Sequence, residues 1–114
     1  EAIVQAITEA AYHRIARALE LLGKDESGTP KLIVCGGIAK SASGIERLAN
    51  VLGRPVYPND EPDAVMRGAA VFALEKLGFP IPVQKLINPV KPRKAAAREY
   101  AEARERQQRI EELL

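Results

Sequence analysis

The sequence predicts an α/β fold in the order helix, strand, helix, strand, helix, with one further helix at the C-terminus. Three observations carry that prediction. Residues 2–22 repeat apolar side chains at steps of three and four, the period of a helix with one apolar stripe. Lys31-Leu-Ile-Val-Cys35 is a short apolar run without alternation, the pattern of a strand covered on both faces. Gly36 and Gly37 stand at the carboxyl end of that run, just before a second helical pattern.

The first helix has Val4, Ile7, Ala11, Ile15, Ala18 and Leu22 on its stripe, and Gly23 stops it. His13 lies off the stripe beside Glu9 and Arg17, and reads as a surface histidine paired with Glu9. Lys24 to Pro30 is a polar turn, and Pro30 leads into the strand. Two glycines after the strand give the backbone angles closed to other residues and let a flat ligand approach the main chain. Ser41 and Ser43 offer oxygens to cap the next helix, which runs from about Ser43 to Leu52 with Ile45, Leu48, Ala49 and Leu52 on its buried side. Gly53 ends it. Arg54-Pro-Val-Tyr-Pro58 has proline near each end and reads as an edge strand.

Asn59-Asp-Glu-Pro-Asp63 opens a third helix, with acidic residues and Pro62 where the helix dipole and proline sterics favour them. That helix runs to about Leu77, before Gly78 and Pro80. Its small middle, Gly68-Ala-Ala70, predicts close packing against another backbone. Phe79 to Pro92 holds four prolines and no periodicity, and is expected to be loop. From Arg93 to Leu114 a last helix places Ala96, Tyr100, Ala103, Gln107, Ile110 and Leu114 on one face, with Glu102–Arg106 and Glu105–Arg109 as supporting pairs four apart.

Composition narrows the function classes. The 114 residues make one domain at most, and its few aromatics leave the core to Ala, Leu, Ile and Val. Residues 1–90 carry ten basic and ten acidic side chains, so the net charge of +2 comes wholly from the tail. Glu and Arg alternate there without interleaved aromatics, which argues against nucleic acid. One Cys and one His build neither a disulfide nor a zinc site from soft ligands, and the single thiol fits a reducing cytoplasm. No membrane-spanning run and no signal peptide are visible. Glu1-Ala-Ile-Val4 begins in mid-pattern without a capping residue, so the chain is expected to be cut from a longer protein.

Three linked stretches carry a resemblance. Gly36-Gly-Ile-Ala-Lys-Ser41, then Ile45-Glu-Arg-Leu-Ala-Asn-Val-Leu-Gly-Arg-Pro-Val56, then Arg67-Gly-Ala-Ala70 resemble the carboxyl-terminal domain of the FGGY carbohydrate kinases, which include xylulokinase, glycerol kinase, gluconokinase and ribulokinase. The family pattern there is Gly-Gly-Gly-Ala-x-Ser, a helix, Ala-Asp-Val-x-Gly-x-Pro-Val, then Gly-Ala-Ala. The resemblance spans about residues 2 to 78. It implies part of the second lobe of an actin-like ATPase (ribonuclease H-like) fold. It divides the chain into residues 1–80, an adenosine-binding part of the kinase domain, a proline-rich loop at 81–92, and an amphipathic helix at 93–114.

The resemblance further implies transfer of the γ-phosphoryl group of ATP, with Mg2+, to a sugar or polyol hydroxyl. The sugar would be held by an N-terminal lobe that these residues do not include. Gly36 and Gly37 would lie against adenine and ribose, and Ile38 and Ser41 would border the ring. Three residues depart from the pattern. Ile38 replaces a frequent third glycine and is expected to reshape the adenine slot. Asn50 replaces an aspartate at the helix end. Gly44 stands where many members carry tryptophan. No Asp-x-Gly-Thr turn is present, Asp25, Asp60 and Asp63 read as turn or helix-start residues, and no catalytic residue is assigned. Alone, the chain is expected not to turn over. Two other readings remain: a non-catalytic regulatory or scaffold protein on the same fold, and a small α/β module that assembles, for example as a homodimer, through its last helix.

Overall fold

The computed structural model describes residues 1–23, 28–83 and 85–114. The elements follow the expected order. Helix α1 spans Ala2–Leu22, strand β1 Leu32–Val34, a 3-10 turn Gly37–Lys40, helix α2 Ala42–Leu52, strand β2 Val56–Pro58, helix α3 Ala64–Lys76 and helix α4 Lys94–Glu112. Most of the polar turn expected between α1 and β1, including Asp25, lies outside the described residues.

The packing centres on α2. Ser41 caps its first turn, its Oγ accepting from the Gly44 N–H at 3.1 Å. Gly53 ends it in the left-handed conformation, φ 64°. One side of α2 sends Leu48 and Val51 against Tyr12 of α1, with Tyr100 of α4 alongside. The other side sends Ile45 and Ala49 onto Val56, with Leu32, Val34 and Val90 around them. The strands β1 and β2 pair in parallel, Leu32 opposite Val56 and Val34 opposite Pro58. A single helix between parallel strands is the βαβ unit that the sequence order requires. The far edge of β2 is pinned by Val90, which exchanges two backbone hydrogen bonds with Val56 at 2.8 and 3.0 Å. That bridge anchors the proline-rich segment before α4 enters its dock.

The dock of α4 is mostly polar. Asn50, only 3% exposed, accepts the Arg93 N–H on its Oδ1 at 2.8 Å and so fixes the start of α4. The neutral amide makes this bond without burying a charge. Arg93 reaches Glu46 at 2.9 Å, Arg104 reaches Glu20 at 3.1 Å, and the Tyr100 hydroxyl donates to Glu9 at 2.7 Å. Of the two expected pairs within α4, neither forms an ion pair between its side chains among the described residues; Arg98–Glu102 does, at 3.2 Å, and Arg109 instead donates to the Glu105 carbonyl.

Four expectations are corrected. The stripe Val4, Ile7, Ala11, Ile15, Ala18, Leu22 is exposed, and α1 packs through Tyr12, His13 and Ala16 instead. His13 is therefore buried, 8% exposed, rather than a surface residue. Strand β1 is covered on one face only: Ile33 is 48% exposed and Cys35 is exposed. Helix α3 buries no residue, and the position of a Cβ on Gly68 meets nothing within 4 Å. One physical reason joins the exposed faces. Apolar periodicity marks a face that favours leaving water, whereas burial requires a partner surface, and among the described residues none covers these faces; His13 is buried because α4 packs beside it, with the Tyr100 ring 6.1 Å away. The chain is accordingly extended, with a radius of gyration of 16.5 Å against about 13 Å for a compact chain of this length.

Candidate functional site

Parallel strands end at the same edge of a sheet, so the turns that follow β1 and β2 meet. The Gly-Gly turn leaves β1, the loop Asn59–Asp63 leaves β2, and between them lies an open cleft of about 180 Å³ lined by Gly36, Gly37 and Lys40 on one side and by Asn59, Asp60, Glu61, Pro62 and Asp63 on the other. Clefts outside the carboxyl ends of parallel strands are the usual ligand sites of α/β sheets. The Asn59 N–H donates to the Val34 carbonyl at 2.8 Å, which ties the second wall to the end of β1. The Glu61 N–H donates to Asn59 Oδ1 at 3.1 Å, and Arg67 holds the Glu61 carboxylate at 3.5 Å. Asp63 sits in the left-handed region, φ 56°, directly before α3.

The two glycines differ in what they contribute. Gly36 has φ 85° and ψ −160°, a conformation that only glycine adopts readily. Gly37 has ordinary angles, and a Cβ there would point into open space with nothing within 4 Å. Gly36 makes the turn; Gly37 leaves its outer side bare. The cleft carries three carboxylates against one lysine in its walls, and Arg67 offsets Glu61 from outside. Such a rim repels phosphate and offers acceptors to hydroxyl and amino groups.

Ile38 and Ser41 are placed away from this cleft. The Ile38 side chain packs into the core beside Val34, Leu48 and Ile45. The Ser41 hydroxyl is committed to the cap of α2 and lies 3.4 Å from the Ser43 hydroxyl. A Cβ on Gly44 would stand 3.0 Å from Ser41 Oγ and 3.5 Å from Ile38 Cγ1, so a larger residue there requires the capping serine to shift by a few tenths of an ångström. Lys40 and the Asn59–Asp63 wall carry no site signal of their own in the sequence, because that acidic stretch also has the composition of a helix start. The strand–helix–strand order, which brings both turns to one edge, was the signal that places them.

A larger hollow of about 540 Å³ runs between α1, α2 and α4, where Glu9 engages Arg47 and Tyr100 and Glu46 engages Arg93. Burial pushes the Glu9 carboxyl up, yet the hydrogen bonds from Tyr100 and Gln5 and the charge of Arg47 outweigh it and hold the pKa below the ordinary 4.5. Burial, followed by the Glu9 hydrogen bond, raises the Tyr100 hydroxyl above 10.0.

The description that matches this chain is the FGGY family of carbohydrate kinases, C-terminal domain, over residues 1–76. The chain belongs to the FGGY family. No curated protein and no solved structure matches it. Membership makes it, at family level, a carbohydrate kinase and thus a transferase, of a kind that generally uses ATP and Mg2+. It also assigns the α/β unit to the second lobe of an actin-like ATPase. The matched residues contain the whole Gly-Gly cleft and end at the last residue of α3, so α4 lies outside them. Among the described residues no three His, Cys, Asp or Glu side chains are placed so that they could hold a metal ion, and no helix is long and apolar enough to cross a membrane.

Proposed function

We propose that this FGGY chain is the adenosine-holding part of an ATP-dependent kinase for a sugar or polyol. The observation that carries the reading is the pairing of a bare glycine backbone at Gly37 with an acidic opposite wall. A nucleoside presents a flat ring and several hydroxyl and amino donors. The ring lies on Gly36-Gly37, where no Cβ intervenes, and the ribose hydroxyls and exocyclic amine meet acceptors on the Asn59–Asp63 side. The negative rim directs the phosphates away from the turn. The cleft's volume of about 180 Å³ is below the roughly 300 Å³ at which small-molecule sites begin, as suits one wall of a site shared between two lobes.

In this reading Ile38 supports the turn from beneath, and Ser41 keeps α2 capped so that the turn stays in place. ATP supplies the phosphoryl group, and no residue of this chain is assigned to the metal. The chain's own work is positioning: it holds the nucleoside while closure of the lobes excludes water. The acceptor hydroxyl and the group that activates it belong to the other lobe. The test is ATP consumption by the two-lobed protein against a panel of ketoses, polyols and sugar acids. Turnover with one class supports the reading, and binding of ATP without turnover on any of them favours the scaffold protein instead.

A further inference from the structure

A second cleft, separate from the Gly-Gly turn, lies between α1 and α4. It encloses about 360 Å³ and is lined by His13, Arg14, Arg17, Arg104, Gln107, Gln108 and Glu111. That volume falls within the roughly 300–1,000 Å³ of small-molecule sites. Three arginines from two helices line it, with two glutamines beside them. Glu20 pairs with Arg17 at 3.5 Å and with Arg104 at 3.1 Å. Arg14 has no carboxylate partner among the described residues, and Glu111 is occupied by Gln107 at 3.0 Å. Counting Arg14, Arg17 and Arg104 against Glu20 and Glu111 leaves one positive charge in excess while His13 is neutral.

His13, which lines the same cleft, carries an unsatisfied buried atom. The residue is more than nine-tenths buried, yet its Nδ1 has no hydrogen-bond partner among the described residues. Orphaned buried polar atoms are rare and costly. The Tyr100 ring, 6.1 Å away, supplies packing and no hydrogen bond to it. Burial, then the charge of Arg104, push the imidazole pKa below its ordinary value, while Glu9 opposes them. Arg14 and Arg17 stand on the same helix, Arg104 and Glu111 on α4, and Arg47 of α2 is engaged with Glu9 at 3.8 Å.

We propose that the cleft between α1 and α4 binds a small phosphate-bearing anion, with Arg14, Arg17 and Arg104 as its charge partners and His13 as the group that gains a proton when it arrives. Guanidinium forks match tetrahedral phosphate oxygens two at a time, and a dianion accepts from several forks at once where a lone carboxylate uses one. Gln107 and Gln108 already donate to Glu111 at 3.0 Å and Glu112 at 3.1 Å, and each amide keeps one further hydrogen to donate. Two negative charges placed beside His13 reverse the effect of Arg104 and favour imidazolium. None of these residues lines the Gly-Gly cleft, so the two clefts are separate sites.

His13 is the sole histidine of the chain, which makes its ring resonance a direct probe. The experiment titrates the protein with inorganic phosphate, with glycerol 1-phosphate, and with succinate at matched ionic strength and pH. The proposal expects a saturable shift of the His13 ring signal, half-complete at or below about 1 mM phosphate compound, and an upward move of the His13 titration midpoint in the bound form. Tighter binding of glycerol 1-phosphate identifies an organic phosphate as the ligand; equal binding identifies phosphate itself. The exposed pair Arg14→Ala and Arg17→Ala together weakens binding at least about tenfold. Absence of a saturable shift, an equal shift with succinate, or unchanged affinity in the double variant overturns the proposal.

Discussion

Removing one hydroxyl tests how α4 is held. Tyr100→Phe deletes the donor that sits 2.7 Å from Glu9 and leaves the ring in place. A hydrogen bond to a charged group contributes about 1.5–3 kcal/mol. Glu9 keeps Gln5 at 2.8 Å and Arg47 at 3.8 Å, so its carboxylate is not stranded and the low end applies. The expected loss is about 1.5 kcal/mol, or about 6 °C in melting temperature for a chain of this size. The assay is urea unfolding of wild type and variant, with the midpoint falling and the slope unchanged. The loss depends on pH with a defined sign. The Glu9 pKa is depressed below 4.5 in the folded chain, so its contribution is full above that value and fades as pH falls through the folded one. A charge-assisted bond is about twice as strong as a neutral one, so the gap between the proteins shrinks by about half in acid. A gap under about 0.5 kcal/mol at neutral pH, or one that widens on acidification, refutes the reasoning.

Three further outcomes follow from the same geometry. Gly36→Ala costs about 1–3 kcal/mol because only glycine tolerates its backbone angles, whereas Gly37→Ala costs under about 0.5 kcal/mol; equal urea midpoints for the two variants would contradict the assignment of the turn. Ile45→Ala, at a site 2% exposed between α2 and the sheet, costs about 2–5 kcal/mol, and calorimetric melting that moves by less than about 2 °C would place the core elsewhere. His13 is harder to protonate folded than unfolded, so stability falls as pH drops below 6.5 toward the lower folded value. That fall should be missing from His13→Phe in chemical denaturation across the same range, and an identical slope in both proteins would show that His13 does not cause it.

The sequence made the order of elements legible because local signals define it. Gly53 and Ser41 bound α2 where expected, and the amphipathic side Ile45, Leu48, Ala49 is buried as its spacing implies. Coverage was not legible. The stripe on α1 and the run of β1 show which side chains leave water when a partner is present, but the partner is not encoded in the stripe itself. His13 was misread for a related reason. Its fate depends on α4, whose Tyr100 and Arg104 are about ninety residues away in sequence. At the candidate site Gly36 and Gly37 were legible from strand-turn-helix grammar. Ile38 was placed at the ring by analogy of position, while its backbone directs the side chain into the core. The acidic wall emerged only when the parallel pairing of β1 with β2 brought two distant turns together.

The claim that the Gly-Gly turn is a platform for adenosine is tested most directly by Gly37→Leu in the two-lobed protein, with ATP affinity measured by calorimetry. The Leu side chain enters space that is empty in the fold, so thermal stability stays within about 2 °C of wild type. The account predicts that ATP binds at least about tenfold more weakly. Unchanged affinity in a stably folded variant would contradict it.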